Sequence, residues 1–242
     1  MIILAMESSA TACSAALFRD GELVAQSYQN NGLTHSRTLL PMIQAMLNNC
    51  EVTLGQVDVI GVAVGPGSFT GLRIGVATAQ GLAWPGEKDC APCSTLESMA
   101  WPLAHMEGAV IVCAMDAQRS QLYNALFFVK EGSLQRLTPD RAISLTDLAA
   151  ELKKYENLKI VVGDGAKLCY NTMTEQGIQV QLAPPPLRMQ SALGVAMAAQ
   201  QLSQSELVKC KNLTPIYHRL PQAERERLER EKNTSEGDRV NV

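Results

Sequence analysis

At 242 residues, with 46% hydrophobic and 19% charged side chains, the chain has an ordinary globular composition and length enough for two compact units. No stretch approaches the about 20 unbroken apolar residues of a membrane helix. The start, Met1 to Glu7, lacks the basic flank and long apolar run of an export signal, so a cytoplasmic protein with no membrane role is expected. A formal charge of −3 and 5% aromatic residues argue against a protein that grips nucleic acid unaided.

Ile2–Met6, Cys13–Arg19 and Glu22–Gln29 read as strands, the last two joined by the hairpin pair Asp20-Gly21. Thr34 is placed to cap a helix through Cys50, with Pro41 marking a kink or a late start. The continuous apolar run Val57–Val64 suits a strand covered on both faces. A glycine-rich turn from Gly65 then opens a helix over about Thr70–Trp84, and Thr95–Ala104 reads as another helix. Val110–Asp116, Gln121–Lys130 and Leu134–Thr138 read as strands, followed by a helix from Ser144 to Tyr155, a strand at Lys159–Gly163 and a helix at Gly165–Gln176. Pro184-Pro185-Pro186 is expected to be a rigid spacer and Ala192–Leu202 a helix. Both halves begin with antiparallel strands and continue with alternating helices and strands. The order predicts an α/β protein of two lobes, 1–105 and 106–221, the second reduced, with helix 192–202 a candidate for packing back on the first. The tail 222–242, rich in alternating Glu and Arg, is expected to be disordered.

The segment Gly65-Pro66-Gly67-Ser68-Phe69-Thr70-Gly71-Leu72-Arg73-Ile74-Gly75 is a strand end, a tight turn and a helix start. It lacks the Gly-Lys-Ser/Thr of a P-loop, has Pro66 where a nucleophile elbow needs glycine, and has Thr70 where a dinucleotide fingerprint needs glycine. The three enzyme readings fail. Gly71, Gly75 and Ala79 recur every four residues, so one face of the helix is nearly bare; mid-helix glycine costs about 1 kcal/mol, and such faces exist where something packs close. Packing on the lobe's own sheet and docking of another chain are evenly matched explanations. In the preceding helix Leu39, Met42, Ile43 and Met46 form one apolar face, while Leu40 and Leu47 suggest a second. That surplus points to a partner. The expected interface comprises Leu39, Leu40, Met42, Ile43, Met46 and Leu47 with Gly71, Leu72, Gly75, Thr78, Ala79 and Leu82. On this reading Gly75→Leu abolishes partner binding in a chain that stays folded.

These residues resemble the TsaB (YeaZ) family. The opening Ile3–Leu17, His35-Ser36-Arg37-Thr38-Leu39-Leu40-Pro41, Gly65–Gly75, Ser94-Thr95-Leu96, Asp116-Ala117 and Pro215-Ile216-Tyr217-His218-Arg219 carry the similarity. The resemblance implies an acetate kinase/sugar kinase/Hsp70/actin-like (ASKHA) fold and a non-catalytic subunit for N6-threonylcarbamoyladenosine modification of tRNA beside the anticodon. It implies a TsaD-like transferase and a TsaE-like ATPase as partners, the former bound through the first two helices. It also implies tRNA contact through the complex, a possible homodimer by the same surface, and ATP or ADP at most at a joint site. Glu7 stands where the family commonly has aspartate, and Asp116-Ala117-Gln118-Arg119 replaces Asp-Ala-Arg.

Glu7, Ser8, Ser9 and Thr11 occupy the turn where kinases of this fold bind phosphate, and Gly163, Asp164 and Gly165 the turn that holds adenosine. Ordinary tight turns are the favoured account of both. A small-molecule kinase of the same superfamily is the alternative function, with Glu7 and Asp116 as its magnesium-binding pair. A protease-like hydrolase is weaker, lacking a nucleophile–base pair. His35 is followed by Leu39 where a two-histidine metal site needs a second ring, and His105 and His218 are isolated, so no metal is expected. Seven cysteines, an odd number, read as buried thiols; Cys90-Ala91-Pro92-Cys93 has the spacing of a redox pair without a thioredoxin-like frame.

Overall fold

The computed structural model describes residues 1–117 and 121–217; Gln118 and Arg119, His218, Arg219 and the segment 222–242 lie outside the described residues. β1 (Ile2–Glu7), β2 (Cys13–Arg19) and β3 (Glu22–Gln29) form an antiparallel meander. Asp20 and Gly21 turn the β2–β3 hairpin with φ of 52° and 91°, the positive pair that matches the twist of the strands. α1 (His35–Asn49) leads to β4 (Val59–Gly65), parallel to β1, and α2 (Phe69–Ala83) leads to β5 (Asp89–Ser94), parallel to β4. α3 (Thr95–Ala100) crosses to the second sheet, where β6 (Val110–Asp116), β7 (Gln121–Lys130) and β8 (Ser133–Arg136) repeat the meander. β9 (Arg141–Ser144) pairs with β7; α4 (Leu145–Leu152), β10 (Lys159–Val162), α5 (Ala166–Glu175) and the two-residue β11 (Gln181–Leu182) follow. α6 (Pro185–Arg188) and α7 (Ala192–Ala199) return the chain to the first sheet, whose far edge is β12 (Val208–Lys209).

The first sheet runs β12-β5-β4-β1-β2-β3 and the second β11-β10-β6-β7-β8. Omitting β12, both share one plan: three antiparallel strands, then two parallel ones added beside the first. This duplicated topology is the one expected of the ASKHA fold; with β9 on β7, each sheet has six strands among the described residues. Apolar side chains form four clusters that stack the layers. One, with Leu4, Leu17, Leu39, Ile43 and Ile60, lies between the first sheet and α1 and α2. The next packs Ala192, Val195, Ala196 and Ala199 of α7 on Ile3, Ala5 and Phe18 of the same sheet. Leu96 and Met99 of α3 meet Ile111 and Phe127 of the second sheet, whose outer face is covered by α4 and α5. α7 and α3 touch closely: a Cβ on Gly194 would lie 1.8 Å from the Ser98 carbonyl oxygen. Arg136 of β8 pairs with Glu97 of α3 and with Asp140, each at 2.6 Å, and Ser94 donates to Asp140, tying the second sheet to the crossover.

Several elements depart from the expectation. Cys90–Cys93, given no element above, is strand: β5 accommodates Pro92 because β12 pairs only with Asp89 and Cys90 and stops before the residue without an N–H. The three prolines do not form a spacer; Pro185 and Pro186 open α6, where a first-turn N–H has no helical partner to lose. α1 runs through the exposed Pro41, and Thr34 precedes it without a side-chain cap.

The second apolar face read on α1 is not there. Leu39, Met42, Ile43, Met46 and Leu47 follow the i, i+3, i+4, i+7, i+8 spacing of a single stripe, and all five are buried in their own core. Leu40, one step around the helix, is the exception at 50% exposure. Leu39→Ala should therefore lower the unfolding free energy by about 2–5 kcal/mol. Leu40→Ala should change it by no more than about 0.5 kcal/mol. Urea midpoints compare the two; equal losses would contradict this placement.

Candidate functional site

β1 ends in Glu7, and the turn to β2 passes directly under the start of α2. Ser68, whose hydroxyl caps α2 by accepting from the Gly71 N–H, donates its own N–H to the Ser9 carbonyl at 2.6 Å. The Ser8 hydroxyl donates to the Gly71 carbonyl at 2.9 Å. The contact is too close for any side chain on α2. A Cβ at Gly67 would lie 2.6 Å from the Ser9 carbonyl oxygen, at Gly71 2.1 Å from that of Ser8, and at Gly75 2.6 Å from the Ser8 hydroxyl. The bare face of α2 thus belongs to the fold. Gly71, Leu72, Gly75 and Ala79 are all buried inside this chain. Gly75→Leu would drive a branched side chain into Ser8 and Val62, so it unsettles the turn and cannot report on docking alone.

The same contact involves the residues expected at a phosphate site. Ser8 and Ser9, expected at a phosphate site, are buried; the Ser8 hydroxyl and the Ser9 carbonyl bond to the start of α2, the Ser9 hydroxyl has no partner among the described residues, and Thr11 is exposed. Glu7 is 1% exposed and accepts the Ser9 N–H. Burial, with a smaller contribution from the Asp164 charge, pushes its carboxyl up to about 7. Across the cleft the turn after β10 holds Asp164, whose Oδ1 accepts from Gln190 Nε2 at 2.9 Å; burial pushes this carboxyl up as well. Gly163 has φ of 115° and would crowd the Ala114 carbonyl at 2.1 Å if it bore a Cβ, and Gly165 would crowd Leu122 at 2.8 Å. These glycines fit the turn onto the end of β6. The ends of the two sheets bring Glu7 and Asp164 near enough for the Asp164 charge to add to the rise of the Glu7 carboxyl.

Other sequence candidates separate. Cys90 and Cys93 belong to different apolar clusters on opposite faces of β5, so their sulfurs do not face each other. Burial pushes the Cys90 thiol up to about 11 and the Cys93 thiol further, leaving little thiolate to react. His35 Nε2 bonds the Ala10 carbonyl oxygen at 2.7 Å. Among the described residues no group of three or more His, Cys, Asp or Glu is arranged to hold a metal ion, and no helix is long and apolar enough to cross a membrane.

What α1 and α2 offer outward differs from the expected set. On α2, Arg73, Ala77 and Gly81 are exposed at four-residue spacing, and no atom lies within 4 Å of where a Cβ on Gly81 would stand. Thr78 and Leu82 flank that stripe half-buried, and Trp84 just beyond the helix is 67% exposed. On α1, Leu40, Pro41, Gln44 and Ala45 are exposed. Between α1 and β3 lies an open groove of about 530 Å³ lined by Arg37, Pro41, Ala45 and the edges of Met42 and Met46. The helical period places this outward stripe as clearly as the inward one.

Glu7 also sets a pH dependence. Between its ordinary value of 4.5 and about 7 the folded chain keeps a proton that the unfolded chain has lost. Stability therefore falls as pH rises through that window, by about 3 kcal/mol in all. Glu7→Gln should flatten this part of the profile in urea titrations between about pH 4 and about pH 8. An unchanged slope would place the proton elsewhere.

Comparison with known proteins agrees with this geometry. The family model for TsaD, tRNA N6-adenosine threonylcarbamoyltransferase, matches residues 29–225. The tRNA threonylcarbamoyladenosine biosynthesis protein TsaB of Bacillus subtilis is 31% identical over 240 residues, covering 96% of this chain and all of the relative. TsaB of Escherichia coli is 28% identical over 221 residues, covering 90% and 95%. The solved YeaZ from Pseudomonas aeruginosa superposes with a TM-score of 0.76 at 26% identity, over 89% of this chain and 99% of that one. With 96% of its length aligned, its two-sheet fold shared and its glycine-rich α2 start seated on the first turn, the chain belongs to the TsaB (YeaZ) family of tRNA threonylcarbamoyladenosine biosynthesis proteins.

Proposed function

We propose that this chain is a non-catalytic subunit that binds and activates a TsaD-like transferase, with a TsaE-like ATPase, for N6-threonylcarbamoyladenosine modification of tRNA. The observation that carries the reading is the closed first turn. Where a kinase of this fold would grip phosphate, Ser8 and Ser9 are bonded to the α2 start and Glu7 is a buried acid. The chain then contributes a surface, and the reacting groups come from the partner. Residues 1–105 are the partner-binding lobe and 106–221 its brace; nucleotide is held at most at a site shared with a partner.

Docking uses the outward faces of α1 and α2: Leu40 and the methionine-floored groove on one helix, Ala77, Gly81, Leu82 and Trp84 on the other. Small residues on a helix surface let a second helix approach closely, and methionine edges adapt to an incoming side chain. The same stripe admits a second copy of the chain, so homodimer and heterodimer compete for one surface. With a net charge of −3, tRNA is reached through the complex.

Two results test this. Reconstituted tRNA modification with a TsaD-like subunit, a TsaE-like ATPase and a supply of the threonylcarbamoyl donor should require the chain; activity unchanged by omitting it sinks the proposal. Gly81→Trp should fold with an unchanged circular dichroism spectrum yet weaken partner binding by about thirtyfold or more. Tight binding by that variant moves the docking surface elsewhere.

A further inference from the structure

Two segments distant in the chain meet beside the start of α2. After β12 the chain runs back along the first sheet: Gln80 Nε2 donates to the Leu213 carbonyl at 2.9 Å, and the Ile216 N–H donates to the Val64 carbonyl at 2.7 Å. Gly65 makes room for this segment, since a Cβ there would lie 2.3 Å from the Ile216 carbonyl oxygen, and its φ is 138°. Tyr217 then lays its ring against Phe69, centroids 4.9 Å apart and planes tilted by 33°. Arg73 joins the pair across 144 residues of sequence: its guanidinium carbon sits 3.9 Å from the Phe69 ring centre, and its Nε donates to the Tyr217 hydroxyl at 3.0 Å.

The guanidinium is thereby held on two sides, by a ring under its plane and by a hydrogen bond at Nε. Among the described residues its Nη edge has neither a hydrogen-bond partner nor an acidic one. It is exposed, beside Ile216 at 53% and Tyr217 at 40% exposure. A fixed guanidinium with a free fork matches the two oxygens of a carboxylate or phosphate, and less side-chain freedom is lost on binding.

We infer that Arg73, clamped by Phe69 and Tyr217, is a carboxylate-binding fork that receives an aspartate or glutamate of the protein docking on α2. The inference rests on the docking proposed above, because Arg73 begins the outward stripe of Ala77 and Gly81. A protein carboxylate is favoured over an RNA phosphate on two grounds. The neighbours are the apolar Ile216 and two aromatic rings, the setting of an Arg and Tyr anchor in a protein interface. RNA backbone binding draws on many cations, and this chain carries a net charge of −3.

Calorimetric titration of the full chain with the TsaD-like subunit tests it, alongside filter binding of tRNA to the same variants. Arg73→Gln should weaken partner binding about thirtyfold. Arg73→Lys should recover only part of the loss, since a point charge has no fork. Tyr217→Phe, which removes one oxygen and keeps the stack, should weaken binding several-fold with an unchanged melting temperature. Should Arg73→Gln bind like wild type while Gly81→Trp does not, the fork is wrong and the docking surface stands. Should the wild-type chain itself fail to bind, both fall. If Arg73→Gln spares the partner and weakens tRNA binding instead, the ligand is a phosphate and the inference is overturned.

Discussion

The contact between the first turn and the start of α2 governs the rest of the structure. Ser8 and Ser9 hand their hydroxyl and carbonyl groups to Gly71 and Ser68, and three glycines permit the approach by leaving no Cβ in the way. A buried backbone polar group without a partner is costly, so the bonds and the glycines are one device. The rotation of α2 about its axis follows from it. With Gly71 and Gly75 fixed inward, Arg73, Ala77 and Gly81 must point outward.

That arrangement closes the turn at the end of β1 against α2. The Ser9 N–H is taken by Glu7 and the Ser9 carbonyl by Ser68. Burial pushes the Glu7 carboxyl up to about 7, because so dry a place disfavours its charged form. On the opposite side of the cleft Arg136, Glu97, Asp140 and Ser94 fasten the second sheet to α3. Strong burial of α7 between the layers, with Gly194 against Ser98, adds to that bracing. The second sheet thus acts as a backing that keeps the first sheet and its two outer helices in place.

The closing segment Leu213–Tyr217 belongs to the same design. It returns after the second sheet is complete, bonds to β4 and α2, and sets Tyr217 on Phe69. The glycine-rich segment therefore has two neighbours at once: the first turn on its inner side and the returning chain at Gly65. Its unusual glycine content reflects close approach of backbone from both.

Much was legible in the residues themselves. Period-two and period-3.6 patterns located the main strands and helices, Asp20-Gly21 set the hairpin, and the repeated order of elements gave two similar sheets, because these signals are local and each residue carries its own share. The short strands β9, β11 and β12 were not legible, since two to four residues have no period to read and exist only where a neighbouring edge pairs with them. Pro92 disguised β5 for the same reason: whether a proline is tolerated in a strand depends on what lies beside it. The sequence by itself determined that α2 has a bare face and α1 an apolar stripe. Only the tertiary structure decided what those faces meet, because a missing side chain records that something is near without recording which chain supplies it. The meeting of Phe69, Arg73 and Tyr217 lay beyond reading for a like reason, as a contact across 144 residues is fixed by the path of the chain through the sheets.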